Sequence, residues 1–105
     1  FQKSPDIEPW HHMLVRTPAA GYVGCAHAIA GTDFFTPTSG LRLPALGIAG
    51  DEDFATPPDM VRETVALIPG SRSVLMRKAG HLPCVEDPVT YAEHLTEFLK
   101  ETGHV

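Results

Sequence analysis

The 105-residue chain is 43% apolar and 20% charged, the composition of one soluble globular domain and not of a disordered segment. A net charge of −5 with the eight lysines and arginines scattered singly provides no basic field, which excludes nucleic acid as a partner class. No apolar run approaches the roughly 20 residues that span a bilayer, and the opening Phe-Gln-Lys-Ser-Pro carries no signal-peptide core, so a cytoplasmic protein without membrane contact is expected.

Proline has a fixed φ and lacks the N–H that the first helical turn leaves unpaired, so a capping side chain followed by Pro signals a helix start. The signal occurs at Ser4-Pro5, Thr17-Pro18, Thr56-Pro57 and Asp87-Pro88. After Ser4-Pro5, Ile7, Trp10 and Leu14 recur at helical spacing; after Thr17-Pro18, Tyr22, Cys25, Ala26 and Ile29 do the same, with Gly31 placed to end the helix. Residues 32–43, with Phe34, Phe35 and Pro37, read as a linker that separates this helical pair, residues 1–31, from residues 44–105.

Residues 44–49, Pro-Ala-Leu-Gly-Ile-Ala, are apolar on both faces, as a buried parallel strand is, and Gly50 bounds them. Thr56-Pro57 then opens a helix with the stripe Val61, Val65 and Ile68, and Asp59 is spaced to complete a capping box with Thr56. A second strand covers residues 73–76, followed by Arg77-Lys78. The last helix runs from Pro88 to about Thr102, with Ala92, Leu95, Phe98 and Leu99 facing inward and Gly103 as its stop. Strand, helix, strand, helix is a right-handed βαβ crossover with a closing helix, the repeating unit of a doubly wound parallel sheet. Independent sheets need about three strands with a covered face. The sheet is therefore expected to continue in an N-terminal part missing before Phe1, which is not an initiator methionine, or in a second copy of the chain. Cys25 and Cys84 are too few for a disulfide framework and sit among apolar neighbours, where buried free thiols are expected.

Reacting groups in open α/β sheets collect in loops at the carboxyl ends of strands. Here the first such loop is Gly50-Asp51-Glu52-Asp53-Phe54-Ala55-Thr56-Pro57-Pro58, and the second is Ala79-Gly80-His81-Leu82-Pro83-Cys84. Because the two strands are parallel and consecutive, both loops emerge at one sheet edge, where an acid and a histidine can meet. A carboxylate bonded to one imidazole nitrogen fixes the tautomer and leaves the other nitrogen free to take a proton from a nucleophile. Residue types alone leave two matters open: which of Asp51, Glu52 and Asp53 is the acid, and whether the acids simply cap the next helix beside an ordinary Gly-His turn.

The stretch Leu-Gly-Ile-Ala-Gly-Asp-Glu-Asp-Phe-Ala-Thr-Pro-Pro, residues 46–58, resembles the acid loop of α/β-hydrolases, a strand ending in Gly-x-x-Asp before a Pro-initiated helix. Ala79-Gly80-His81 followed by Glu86-Asp87-Pro88 resembles the histidine loop and final helix of the same superfamily, whose triad runs in the chain order Ser, acid, His. The resemblance implies Asp53, fourth in Gly-x-x-Asp, as the acid and His81 as the base. Thr-Pro-Pro after Asp53, His-Leu-Pro-Cys-Val-Glu from His81, and residues 17–29 look like the 3-oxoadipate enol-lactonases, which open an enol-lactone ring in the β-ketoadipate pathway.

The resemblance covers the C-terminal part of such a hydrolase: two cap helices, then the last two parallel strands with their helices. It implies a carboxylic-ester hydrolase acting on a small lactone or ester without a cofactor. Trp10 and Tyr22, on the implied cap, become candidate substrate-binding walls. A nucleophile elbow needs Gly-x-Ser-x-Gly, yet no two glycines here are four apart, and no His-Gly-Gly oxyanion segment occurs. The serine is therefore expected from the missing portion, and these residues alone are expected to be inactive.

Other readings compete with this one. Another esterase or a C–C hydrolase shares both loops. A non-catalytic assembly module would use a hydrolase-like half-fold to associate with copies of itself. Cys25-x-His27 and His81-x-x-Cys84 lack the repeated close spacing of a structural zinc site, so no metal is expected, and His11-His12 beside Trp10 reads as a helix face.

Overall fold

A computed structural model describes residues 7–105, so the Ser4-Pro5 start signal lies outside the described residues. The chain divides into two compact units, one ending at Phe34 and the other Phe35–Val105.

The first unit carries α1 (Ile7–Arg16) and α2 (Ala19–Ala30). Thr17 closes α1 instead of capping α2: its N–H donates to the Leu14 carbonyl at 3.1 Å and its hydroxyl to the Met13 carbonyl at 2.9 Å. Pro18 takes the cap position of α2 with no side-chain bond. The apolar stripes of both helices stay open among the described residues, with Leu14, Tyr22 and Ile29 all exposed. Cys25 is exposed with them, contrary to the expectation of a buried thiol, because α2 buries none of its residues.

The second unit begins with a short helix, α3 (Phe35–Ser39), inside the segment expected to be a linker; one turn is too short to leave a periodic signature. Then follow β1 (Leu46–Gly50), α4 (Pro58–Ala66), β2 (Arg72–Met76), the single turn α5 (Pro83–Glu86) and α6 (Pro88–Glu101). The strands pair in parallel, Leu46 opposite Arg72 through Gly50 opposite Met76, with α4 as the crossover. Helix α4 packs on both strands. Val61 and Val65 of the expected stripe, and Ile68 just beyond the helix end, are half-buried, and a methyl group added at Gly47 would overlap the Val65 side chain, so the missing Cβ lets helix and strand approach closely.

Helix α6 packs on β2 and α5, and its last turn is tied to the first residue of β2 by a 2.7 Å ion pair between Glu101 and Arg72. Asp87 caps it through Thr90 N–H at 3.1 Å, as its sequence signal requires. Gly103, at φ +74°, ends it: Gly103 N–H donates to the Lys100 carbonyl and His104 N–H to the Leu99 carbonyl, the paired bonds of a Schellman stop. Its inward face is offset from the expected one. Tyr91, His94, Phe98 and Leu99 are half-buried, whereas Ala92 and Leu95 are exposed, because among the described residues the helix packs mainly on β2 and α5. Cys84, on α5, is likewise exposed. The buried apolar side chains of the unit are small or flexible, namely Ala49, Met76 and Ala79, and all three lie at or beside the strand ends where the two loops meet.

Candidate active site

Strand β1 delivers its loop to the end of β2 through backbone bonds. Asp51 N–H donates to the Met76 carbonyl and Glu52 N–H to the Ala79 carbonyl, each at 2.9 Å. The approach depends on Gly50, where a methyl group would collide with the carbonyl oxygens of both Ala79 and Gly80. Strand end and histidine loop therefore lie backbone against backbone.

That seam sends the three acids in different directions. The Asp51 carboxylate accepts the Lys78 N–H at 2.6 Å and lies 3.4 Å from the Arg77 guanidinium, supporting the turn in which Lys78 adopts φ +58°. Glu52 is exposed, whereas Asp53 is buried, with its side chain only 5% accessible. Asp53 Oδ1 accepts the Ala55 and Thr56 N–H groups at 2.8 and 3.0 Å, and Oδ2 accepts the Thr56 hydroxyl at 2.7 Å. His81 Nδ1 stands 3.0 Å from Oδ2. The alternatives that residue types left open are thus separated by geometry: of the three acids, Asp53 is the one against the imidazole.

Burial alone would raise the Asp53 carboxyl, but the bond to His81, the amide and hydroxyl of Thr56 and the amide of Ala55 together outweigh it and hold the group well below the usual carboxylate range. Asp53 is therefore an anion at neutral pH. Facing an anion, Nδ1 carries the ring proton and donates it to Oδ2, so the lone pair is on Nε2. Thr56 Oγ, 3.3 Å from the same Nδ1, is a second acceptor for that N–H. The His81 side chain is 59% accessible, so a reacting group can approach the ring from outside these residues.

Two further residues serve the site in roles that the sequence does not assign them. Thr56 was expected to cap α4, but Pro57 occupies the cap and the hydroxyl serves Asp53 instead. The usable signal was Asp followed three residues later by Thr, the spacing at which an Asp side chain collects the amides of its own turn. Glu86 accepts the amides on either side of His81, Gly80 N–H at 3.0 Å and Leu82 N–H at 3.1 Å. Trp10 and Tyr22 lie on α1 and α2 in the other unit, 37% and 61% accessible. Among the described residues no cluster of three or more His, Cys, Asp or Glu is arranged to hold a metal ion, and no helix is long and apolar enough to cross a membrane.

Among solved structures, a hydrolase from Pseudomonas aeruginosa is similar over 93% of this chain and 37% of its own, with 31% identity and a TM-score of 0.85. The enol-lactonase from Burkholderia xenovorans matches 76% of this chain and 30% of its own, with 31% identity and a TM-score of 0.72. A thermophilic esterase from Thermogutta terrifontis matches 70% of this chain and 26% of its own, with 30% identity and a TM-score of 0.66. No family model and no curated protein matches the sequence. This chain therefore has the fold of one part of the α/β-hydrolases and spans about a third of the length of the first two of these structures.

Proposed function

We propose that this chain, built on part of an α/β-hydrolase fold, supplies the base and the orienting acid of a carboxylic-ester hydrolase that opens 3-oxoadipate enol-lactone. The observation that carries the proposal is the 3.0 Å bond between His81 Nδ1 and the buried, ionised Asp53. That bond leaves Nε2 as a proton acceptor on an exposed ring. A serine outside these residues attacks the lactone carbonyl, and Nε2 takes the hydroxyl proton as the Oγ–C bond forms. The proton then goes to the leaving enolate oxygen as the ring C–O bond breaks. Water, deprotonated by the same nitrogen, attacks the acyl-enzyme, and the returned proton restores the serine. Asp53 keeps its negative charge throughout and stabilises the imidazolium. Trp10 and Tyr22, on helices assigned to a cap, would provide apolar walls for the substrate, and the reaction draws on no cofactor. Similarity to an enol-lactonase supports the lactone as substrate; similarity to an esterase at almost the same identity favours, as a second reading, a simple ester.

Enol-lactone opening and aryl-ester hydrolysis measured side by side on the protein containing this chain distinguish the substrates. His81→Ala should lower kcat by several orders of magnitude on either, and residues 1–105 alone should turn over neither. Near-normal turnover by His81→Ala, or serine-reagent-sensitive turnover by residues 1–105 as a stable monomer, would refute the proposed division of labour.

A further inference from the structure

His81 reaches Asp53 from a loop, and a loop residue keeps an imidazole in register only if its own backbone is held. Both amides that bracket His81 end on one side chain: Gly80 N–H on Glu86 Oε2 at 3.0 Å and Leu82 N–H on Oε1 at 3.1 Å. Glu86 is the last residue of α5, so its carboxylate folds back past the start of its own helical turn to reach residues before it. Gly80 leaves the room this needs, since an added Cβ would stand 3.2 and 3.3 Å from the two carboxylate oxygens. A carboxylate can accept at both oxygens at once, while the amide of glutamine offers one acceptor and turns a donor toward the other N–H.

We propose that Glu86 is a positioning residue for His81, clamping the N–H groups of its two neighbours, Gly80 and Leu82, so that Nδ1 faces Asp53 and Nε2 faces the reacting atoms. This rests on His81 being the base of the proposed hydrolase. Its immediate effect, however, is on the ring tautomer and can be read without turnover.

The test compares ¹⁵N-labelled wild-type protein, Glu86→Gln and, as a control on an exposed acid of the facing loop, Glu52→Gln. Hydrogen exchange reports the Gly80 and Leu82 amides, and imidazole ¹⁵N shifts report which His81 nitrogen is protonated. In Glu86→Gln, at least one of the two amides should exchange about tenfold faster or more, the scale set by losing a hydrogen bond to a charged group. The Nδ1–H form of His81 should lose its predominance while the β2 amides keep their protection. The control should leave every one of these signals in place. Ester turnover by Glu86→Gln should fall through kcat with KM nearly unchanged. If Glu86→Gln loses protection throughout the sheet, Gly80→Ala, which presses on the carboxylate without removing it, carries the test and should shift the tautomer in the same direction. An unchanged tautomer in the folded variant, whether or not the amides exchange faster, would overturn the positioning role. Absence of both enol-lactone and ester hydrolysis in the unsubstituted protein containing this chain would defeat the proposed activity, while the tautomer shift would still support the clamp.

Discussion

Asp53→Asn separates what the carboxylate does for the fold from what it does for the histidine. The amide oxygen of asparagine can stay at Oδ1 and keep the Ala55 and Thr56 amides, at 2.8 and 3.0 Å in the parent. The new NH₂ takes the place of Oδ2, facing the Thr56 hydroxyl at 2.7 Å and His81 Nδ1 at 3.0 Å. The hydroxyl can rotate and accept. Nδ1 can accept only without its proton, so the proton moves to Nε2, the atom needed to deprotonate the nucleophile. Replacing charge-assisted bonds by neutral ones should cost about 1–3 kcal/mol of stability. The wrong tautomer costs ~10⁴ in kcat in the Ser-His-Asp proteases, or about 5.4 kcal/mol at 1.36 kcal/mol per decade. Thermal melts and steady-state kinetics on one preparation therefore diverge: the protein stays folded while turnover falls by four decades or so. Imidazole ¹⁵N shifts should show the proton on Nε2. Turnover within about tenfold of wild type in a folded Asp53→Asn protein would refute the tautomer argument, as would a rate loss that merely tracks the unfolded fraction.

The depressed carboxyl also makes a claim about acid stability. A group held below its ordinary value stabilises the fold fully above its unfolded-state pKa of about 3.9, and the contribution drains away as pH falls through the lower folded value. Urea titrations should therefore show the stability gap between wild type and Asp53→Asn narrowing below about pH 4; a gap that widens on acidification would contradict the assignment. At Gly50, alanine would force its methyl into the Ala79 and Gly80 carbonyls. The protein should lose about 1–3 kcal/mol by denaturant midpoint and lose the Nδ1–H preference of His81 at the same time; an unaffected His81 signal would show that the loops do not depend on this contact.

What the sequence made legible was set by how far each signal depends on neighbours. Apolar runs of strand length and the Asp87-Pro88 start are local properties, and β1, β2 and α6 appear within two residues of their expected starts. Thr17-Pro18 and Thr56-Pro57 carry the same kind of signal, yet their hydroxyls have competing acceptors, the Met13 carbonyl and the Asp53 carboxylate, which only folding brings within reach. Short turns such as α3 and α5 leave no periodic trace. The stripe on α6 was visible, but which part of it is covered depends on what lies beneath, so Ala92 and Leu95 turned out exposed. Choosing Asp53 over Asp51 and Glu52 required the superfamily resemblance, since the three differ only in how a tight turn directs them. Their separation comes from the amide of Lys78, which the strand pairing places beside Asp51.

The seam between the two loops is sewn by Asp51 N–H to Met76, Glu52 N–H to Ala79 and the Asp51 carboxylate to Lys78. None of these stitches uses the side chain of Asp53 or His81. The meeting place and the chemistry conducted there are consequently separable inheritances. Drift at position 53 or 81 would silence a reaction while leaving two loop tips still facing each other, ready to receive another pair of groups. A scaffold that secures the address through its backbone can change its tenants, which gives a physical reason why one arrangement of strands can host many reactions.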